Sequence, residues 1–240
     1  MKKHYSSFRF KEFSLNHSKS TMKVCMDSLI LGAFVPAENA KTILDIGSGC
    51  GILSLMLAQK SMGSIIGIDI DADSVVEANE NVSQTRWKDR VVFQKISLQE
   101  FVQVHNTKFD LIISNPPFFN NSFKSKIVNR NISRHTDTLP FYNLISCTKK
   151  LLEQTGKFYI ILPSQESQLF VNIATEEKLF CTQVLKIMQN IHKEEKRRVM
   201  CFENEKTNEV IINELVIRNE DDSYTKEYLE LTKDYHLFSN

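Results

Sequence analysis

The chain has 240 residues, of which 42% are hydrophobic, 25% charged and 10% aromatic, enough to bury a substantial core. It has no run of about eighteen apolar residues, and its start, MKKHYSSFRFKEF, lacks a signal peptide's apolar core, so a soluble cytoplasmic protein is the expectation. A formal net charge of +1 conceals clustering: residues 1–23 set Lys2, Lys3, Arg9, Lys11, Lys19 and Lys23 against Glu12 alone.

Residues 1–40 read as an N-terminal extension lying over a sheet, within one domain spanning 1–240. From Lys41 the pattern alternates short β-branched runs with helical ones. TILDIG (42–47), SIIGIDI (64–70), RVVFQKI (90–96), FDLIIS (109–114) and GKFYIILP (156–163) are the predicted strands. Between them lie the helix-like ILSLMLAQK, DADSVVEANENVSQ, LQEFVQV and LPFYNLISCTKKLLEQ. Near-continuous apolar strands alternating with helices predict a parallel sheet covered on both faces, and right-handed connections make it a doubly wound α/β fold. After Pro163 one more helix is expected, and then CTQVLKIMQ and RRVMCFE as a C-terminal antiparallel hairpin.

The first turn, LDIGSGCGIL, places Gly47, Gly49 and Gly51 between a strand and a helix, where glycine lets the backbone turn sharply and approach a ligand. A G-x-G-x-x-G dinucleotide loop would have glycine where this chain has Ile52, so the loop alone is weak evidence. Asp69 at the end of the next strand strengthens it, because a carboxylate there can accept hydrogen bonds from both hydroxyls of a ribose. Asp71 competes for that role, although it could equally open the next helix. Asp45 sits in an otherwise apolar strand and needs donors to be buried; the expected donors are the glycine-loop amides.

Ser114-Asn115-Pro116-Pro117-Phe118-Phe119 follows the fourth predicted strand, which should lie beside the first and face the glycine loop. A planar amino group on a base or amide is a poor nucleophile because its lone pair is delocalised. The Asn115 side-chain oxygen and the Pro116 carbonyl can accept its two hydrogens, favouring a tetrahedral nitrogen and stabilising the charge that develops as a methyl arrives. Proline rings hold the carbonyl in place, and Phe118 can stack on the acceptor plane. The bland alternative is an Asn-Pro turn with both phenylalanines in the core. The tetrapeptide alone leaves the two readings even; with the glycine loop and Asp69, the catalytic one prevails.

This constellation resembles class I S-adenosylmethionine-dependent methyltransferases of the N-P-P-aromatic group, with their Rossmann-like sheet. FRFKEF (8–13), MKVCMDSLILGAF (22–34), LDIGSGCGILSLMLAQ, FDLIISNPPFF, LVIR (215–218) and YLELTKDYHLF extend the resemblance over nearly the whole chain, to the bacterial valine-tRNA adenine-37 N6-methyltransferases. The resemblance implies methyl transfer to the N6 of that adenine, with S-adenosylmethionine as donor and tRNA as partner. It also brings Lys23, Asp27 and Asn115 towards the cofactor. Two departures are visible: Ser97 stands where an acid beside the cofactor adenine is expected, and Cys25 and Met26 replace small residues. A hydroxyl at Ser97 can still contact the adenine amino group, without carboxylate strength. Rivals are an rRNA guanine N2-methyltransferase, a glutamine N5-methyltransferase of release factors, and a non-catalytic RNA-binding protein on a retired methyltransferase fold; the intact glycine loop and Asn115 argue against the last.

For the substrate, the stretch from Leu111 to Thr136 has no acid and carries Lys124, Lys126, Arg130 and Arg134. These, with Phe118, the basic N-terminus and Arg197-Arg198, are the expected contacts to RNA. His135 is read as an exposed loop residue, Trp87 as a loop anchor and not a stacking platform, and Cys50 as a small side chain. Five scattered cysteines without C-x-x-C, and six histidines without H-x-x-x-H, suggest neither a metal site nor disulfides. A monomer is the default expectation.

Overall fold

The computed structural model describes residues 7–20, 24–117 and 140–236. Its centre is an eight-stranded sheet in the order β10-β8-β9-β7-β6-β3-β4-β5. The strands are β3 (Thr42–Ile46), β4 (Ser64–Asp69), β5 (Val91–Lys95), β6 (Phe109–Ser114), β7 (Leu152–Pro163), β8 (Phe180–Asn190), β9 (Glu195–Glu203) and β10 (Ile211–Arg218). A two-residue hairpin, β1 (Phe8–Arg9) with β2 (Ser14–Leu15), precedes them. The helices are α1 (Met26–Phe34), α2 (Ile52–Lys60), α3 (Ala72–Ser83), α4 (Leu98–Val104), α5 (Phe141–Leu151), α6 (Ser164–Glu176) and α7 (Lys226–Thr232).

Strand alternation divides the core between the two faces of the sheet. Ile43, Leu111, Ile113, Tyr159 and Ile161 join α1, α2, α3 and α7 on one face. Leu44, Ile46, Ile112, Phe158, Ile160 and Leu162 join α4, α5 and α6 on the other. Burial on both faces explains why these strands read as continuous apolar runs. Helix α2 is buried from Ile52 to Ala58, because α1 and the C-terminal segment cover its outer side. Gly32 of α1 permits that approach, since a Cβ there would lie 2.6 Å from Met56 Sδ, and Tyr235 donates to the Met56 carbonyl at 3.1 Å.

The predicted β8–β9 hairpin forms, and β9 also pairs antiparallel with β7. It therefore fills the gap between β7 and β8 and runs against the other strands of the sheet. Beyond the sequence reading lie the β1–β2 hairpin and α1 in the N-terminal extension, β10, parallel to β8 at the sheet edge, and α7, capped by Thr225 Oγ1 accepting from Tyr228 N at 3.2 Å. β3 lies between β4 and β6 with all three parallel, so Ile46, Asp69 and Ser114 end at one edge. Antiparallel β9 begins at that edge, with Arg197 opposite Pro163.

Candidate active site

The turn after β3 requires its glycines, since Gly47, Gly49 and Gly51 have φ of 74°, 53° and 88°. The amides of Gly47 and Ser48 donate to the Ile68 carbonyl at 2.9 and 3.0 Å, and Gly51 N donates to Ser48 O at 2.9 Å. A Cβ at Gly47 would meet nothing within 4 Å, so the loop faces open space there. Asp69 braces the loop from β4: Oδ2 accepts from Gly49 N at 2.8 Å and Oδ1 from Asp71 N at 2.9 Å. Each carboxylate oxygen keeps a further lone pair for a ligand hydroxyl. Asp71 is the N-cap of α3, accepting from Ser74 N at 3.2 Å and Ser74 Oγ at 2.5 Å. Its amide is also one of the two that donate to Asp69.

Asp45 corrects the sequence reading. It is fully buried, and its Oδ2 accepts from Ser54 N at 3.1 Å and Ser54 Oγ at 2.7 Å, not from glycine-loop amides. Those loop amides are already spent on Ile68, Ser48 and Asp69, whereas the first turn of a helix has amides without intrahelical acceptors. Burial pushes the Asp45 carboxyl up to about 7; the Ser54 hydrogen bonds offset this only in part, and the nearby Asp69 charge adds to it.

On the adjacent strand, Ser114 Oγ donates to Ile46 O at 2.9 Å and ties the end of β6 to the glycine turn. Asn115 follows, 4% exposed. Its Nδ2 donates to Ser28 Oγ at 2.9 Å and reaches Cys25 Sγ at 3.8 Å, both on the N-terminal end of α1. Its Oδ1 is buried with no hydrogen-bond partner among the described residues, as are Asp45 Oδ1 and Ser48 Oγ. Three unsatisfied polar atoms thus gather at the carboxyl ends of β3 and β6, where native structures rarely tolerate them without a ligand or water. Pro116 and Pro117 continue the chain there; Phe118, Lys124, Lys126, Arg130, Arg134 and His135 lie outside the described residues, as does Lys23.

Other expected contacts are engaged within the fold. Ser97 caps α4 in a reciprocal box: its Oγ donates to Glu100 Oε2 at 2.7 Å and accepts from Glu100 N at 3.2 Å. Asp27, in the first turn of α1, accepts from Arg197 Nε at 2.9 Å, and Arg198 pairs with Glu195. Both arginines reach the carboxyl edge already holding carboxylates. Trp87 is buried, edge-on to Phe13 at 5.7 Å, which makes it an anchor. Cys50 is buried, and burial pushes its thiol up to about 12.

Sequence reasoning missed the residues that hold the N-terminal segment against this site. Glu77 of α3 is fully buried and accepts from the amides of Ser18, Lys19 and Ser20 at 2.7, 2.9 and 2.8 Å, and from Ser18 Oγ at 3.1 Å. Burial alone would raise this carboxyl, but the Lys19, Ser20 and Ser18 bonds outweigh it and hold it below its ordinary range. One turn on, Asn81 accepts from Asn16 N and donates to the carbonyls of Asn16 and Cys50, each at 2.9 Å. The available signal was a pair of polar residues, Glu77 and Asn81, on the apolar stripe of α3.

A family model described as "Methyltransferase domain" matches residues 37–224. The tRNA1(Val) (adenine(37)-N6)-methyltransferase of Trichodesmium erythraeum is 37% identical over 235 residues, covering 97% of this chain and 98% of that one. Proteins of the same name from Phocaeicola vulgatus and Flavobacterium johnsoniae are 37% and 35% identical, covering 96% of this chain and 97% and 99% of theirs. Among solved structures, a predicted O-methyltransferase from Agrobacterium tumefaciens superposes with a TM-score of 0.67 at 14% identity, covering 87% of this chain and 96% of that one. A methyltransferase from Pyrococcus furiosus gives 0.59 at 16% identity, covering 81% and 90%. At these identities the structures speak for the fold alone.

Proposed function

The chain belongs to the tRNA1(Val) (adenine(37)-N6)-methyltransferase family, and from that premise we propose that it methylates the N6 amino group of adenine 37 in valine tRNA, with Asn115 and Pro116 receiving that amino group. S-adenosylmethionine is the cofactor, and when bound it supplies an electrophilic methyl group. The residues present fit it: a glycine turn open at Gly47, the Asp69 carboxylate beside it, and unsatisfied Asp45 and Ser48 oxygens beneath.

The observation that carries the catalytic assignment is the buried Oδ1 of Asn115, without a hydrogen-bond partner among the described residues, whose Nδ2 is held on α1. A buried carbonyl left unsatisfied costs about 1–3 kcal/mol, which an incoming amino group recovers by donating to it. Asn115 Oδ1 and the Pro116 carbonyl each accept one hydrogen of the target amine. The nitrogen lone pair is then freed from the ring; as the N–C bond forms and the sulfonium S–C bond breaks, leaving S-adenosylhomocysteine, both acceptors would stabilise the positive charge on nitrogen until one hydrogen passes as a proton to water. Phe118, two residues after Pro116, is assigned the stacking face for the base in this reading.

An adenine stacked in an anticodon loop must be turned out to reach a recessed site. Lys124, Lys126, Arg130 and Arg134 grip the flanking phosphates in this reading, so tRNA affinity falls steeply with salt. Arg197 and Arg198, which pair with Asp27 and Glu195, and the basic N-terminal segment assist that grip in the same reading. Methyl label from the cofactor, offered to total tRNA, ribosomes and release factor, tests the assignment. Nucleoside analysis should give N6-methyladenosine in valine tRNA; N2-methylguanosine, or label in protein alone, overturns it.

A further inference from the structure

We propose that Ser28 is a positioning residue for methyl transfer: its hydroxyl fixes the Asn115 side-chain amide with the oxygen turned to the target amine. The inference rests on the assignment of Asn115 above. An asparagine amide is nearly symmetric in shape, and only its hydrogen-bond partners choose between its two orientations. In one, the oxygen accepts from the substrate amine. In the other, two N–H donors face a donor and the site is inert.

Ser28 occupies a position where the fold itself gives no reason for a hydroxyl. It lies on the apolar face of α1, between Cys25 and the run Leu29–Gly32, and is only 5% exposed. Alanine would fill that buried place with no polar atom to satisfy. A helical serine ordinarily bonds back to its own helix backbone. Here the described partners of the hydroxyl are Asn115 Nδ2 at 2.9 Å and Cys25 Sγ at 3.5 Å. Whichever of the hydroxyl and the thiol donates to the other, a Ser28 lone pair remains for Nδ2, and Nδ2 also reaches the same sulfur at 3.8 Å. Both amide donors then point at α1, and Oδ1 is the atom left over. The contact spans 87 residues of sequence, so it joins the N-terminal extension to the reacting end of β6.

The test is a cycle of Ser28→Ala, Asn115→Ala and the double variant, with Ser28→Thr as the hydroxyl-retaining control. Single-turnover methylation, S-adenosylhomocysteine affinity, tRNA affinity and thermal midpoint are read for each. Ser28→Ala should slow single turnover about ten- to a hundredfold, as for a misoriented reacting group, leave both affinities and the midpoint near wild type, and cause no further loss in the Asn115→Ala background. Ser28→Thr should keep most of the rate. A wild-type rate for Ser28→Ala, equal losses in the Ala and Thr variants, or additive losses in the double variant overturn the inference. A wild-type rate for Asn115→Ala overturns the reading beneath it instead.

Discussion

Replacing Glu77 by glutamine tests how the N-terminal segment is held to the cofactor end of the sheet. In the wild type one carboxylate oxygen accepts from Ser18 N, Ser18 Oγ and Lys19 N, and the other from Ser20 N. Glutamine can satisfy the first set with its oxygen, but its NH2 then meets the Ser20 amide donor to donor. An unsatisfied buried donor costs about 1–3 kcal/mol, and the remaining bonds lose their charge assistance. The expected destabilisation is about 2–4 kcal/mol, measured by urea unfolding at pH 7, or a fall of about 5–15 °C in midpoint for a chain of this size. The pH dependence has a definite sign. A carboxyl held below its unfolded value of about 4.3 contributes stability that is present above that pH and lost as pH falls through the folded value. The gap between wild type and Glu77→Gln should therefore narrow in acid, because glutamine does not titrate. A difference below about 0.5 kcal/mol at pH 7, within the scatter of ordinary surface changes, or a gap unchanged down to pH 3, would refute this account of the clamp.

Asp69→Ala should weaken S-adenosylhomocysteine binding by about 1.5–3 kcal/mol, the range for losing charge-assisted hydrogen bonds; unchanged calorimetric affinity in a folded variant would remove Asp69 from the site. Asn115→Ala should bind S-adenosylhomocysteine normally yet lose roughly a hundredfold or more in single turnover, as for one preorganised transition-state contact; a wild-type rate would reduce Asn-Pro-Pro to a turn. Asp45 titrates with the opposite sign to Glu77. Its unfolded carboxyl ionises near pH ~3.9 while the folded one keeps its proton up to about 7, so stability present below the first value is lost as pH rises to the second. Asp45→Asn should flatten that decline, and an identical slope in unfolding free energy between pH 4 and pH 7 would exclude Asp45 as its source.

The parallel core was legible because burial on both faces writes itself as unbroken apolar runs. β6 and the helices α2 and α4 fall where the pattern placed them, at 109–114, 52–60 and 98–104. β10 escaped because an edge strand has little to bury: its first four residues are exposed, including Ile211 and Ile212, and only Leu215 and Ile217 reach the core. The start of β7 escaped for a related reason, since the exposed Glu153 and Gln154 continue the polar end of a helix pattern.

The site divides along the same physical line. Glycines at positive φ and an acid at a strand end are demanded by local backbone geometry, so the turn and Asp69 could be read from the sequence. The partners of a buried polar group are set by tertiary contact, and sequence states only that some must exist. Asp45 illustrates this: its need for donors was evident, but the amides of Gly47, Gly49 and Gly51 were committed elsewhere, and Ser54 met the need from the first turn of α2. Glu77 and Ser28 act across 57 to 59 and 87 residues of chain respectively. Neither forms a motif, because each is defined by the unsatisfied group it answers: three amides of the N-terminal segment for Glu77, and one side-chain amide for Ser28. The N-terminal segment and α1 are therefore tied to the carboxyl end of the sheet at two points, the carboxylate of Glu77 and the amide of Asn115, and removing them would free both groups together.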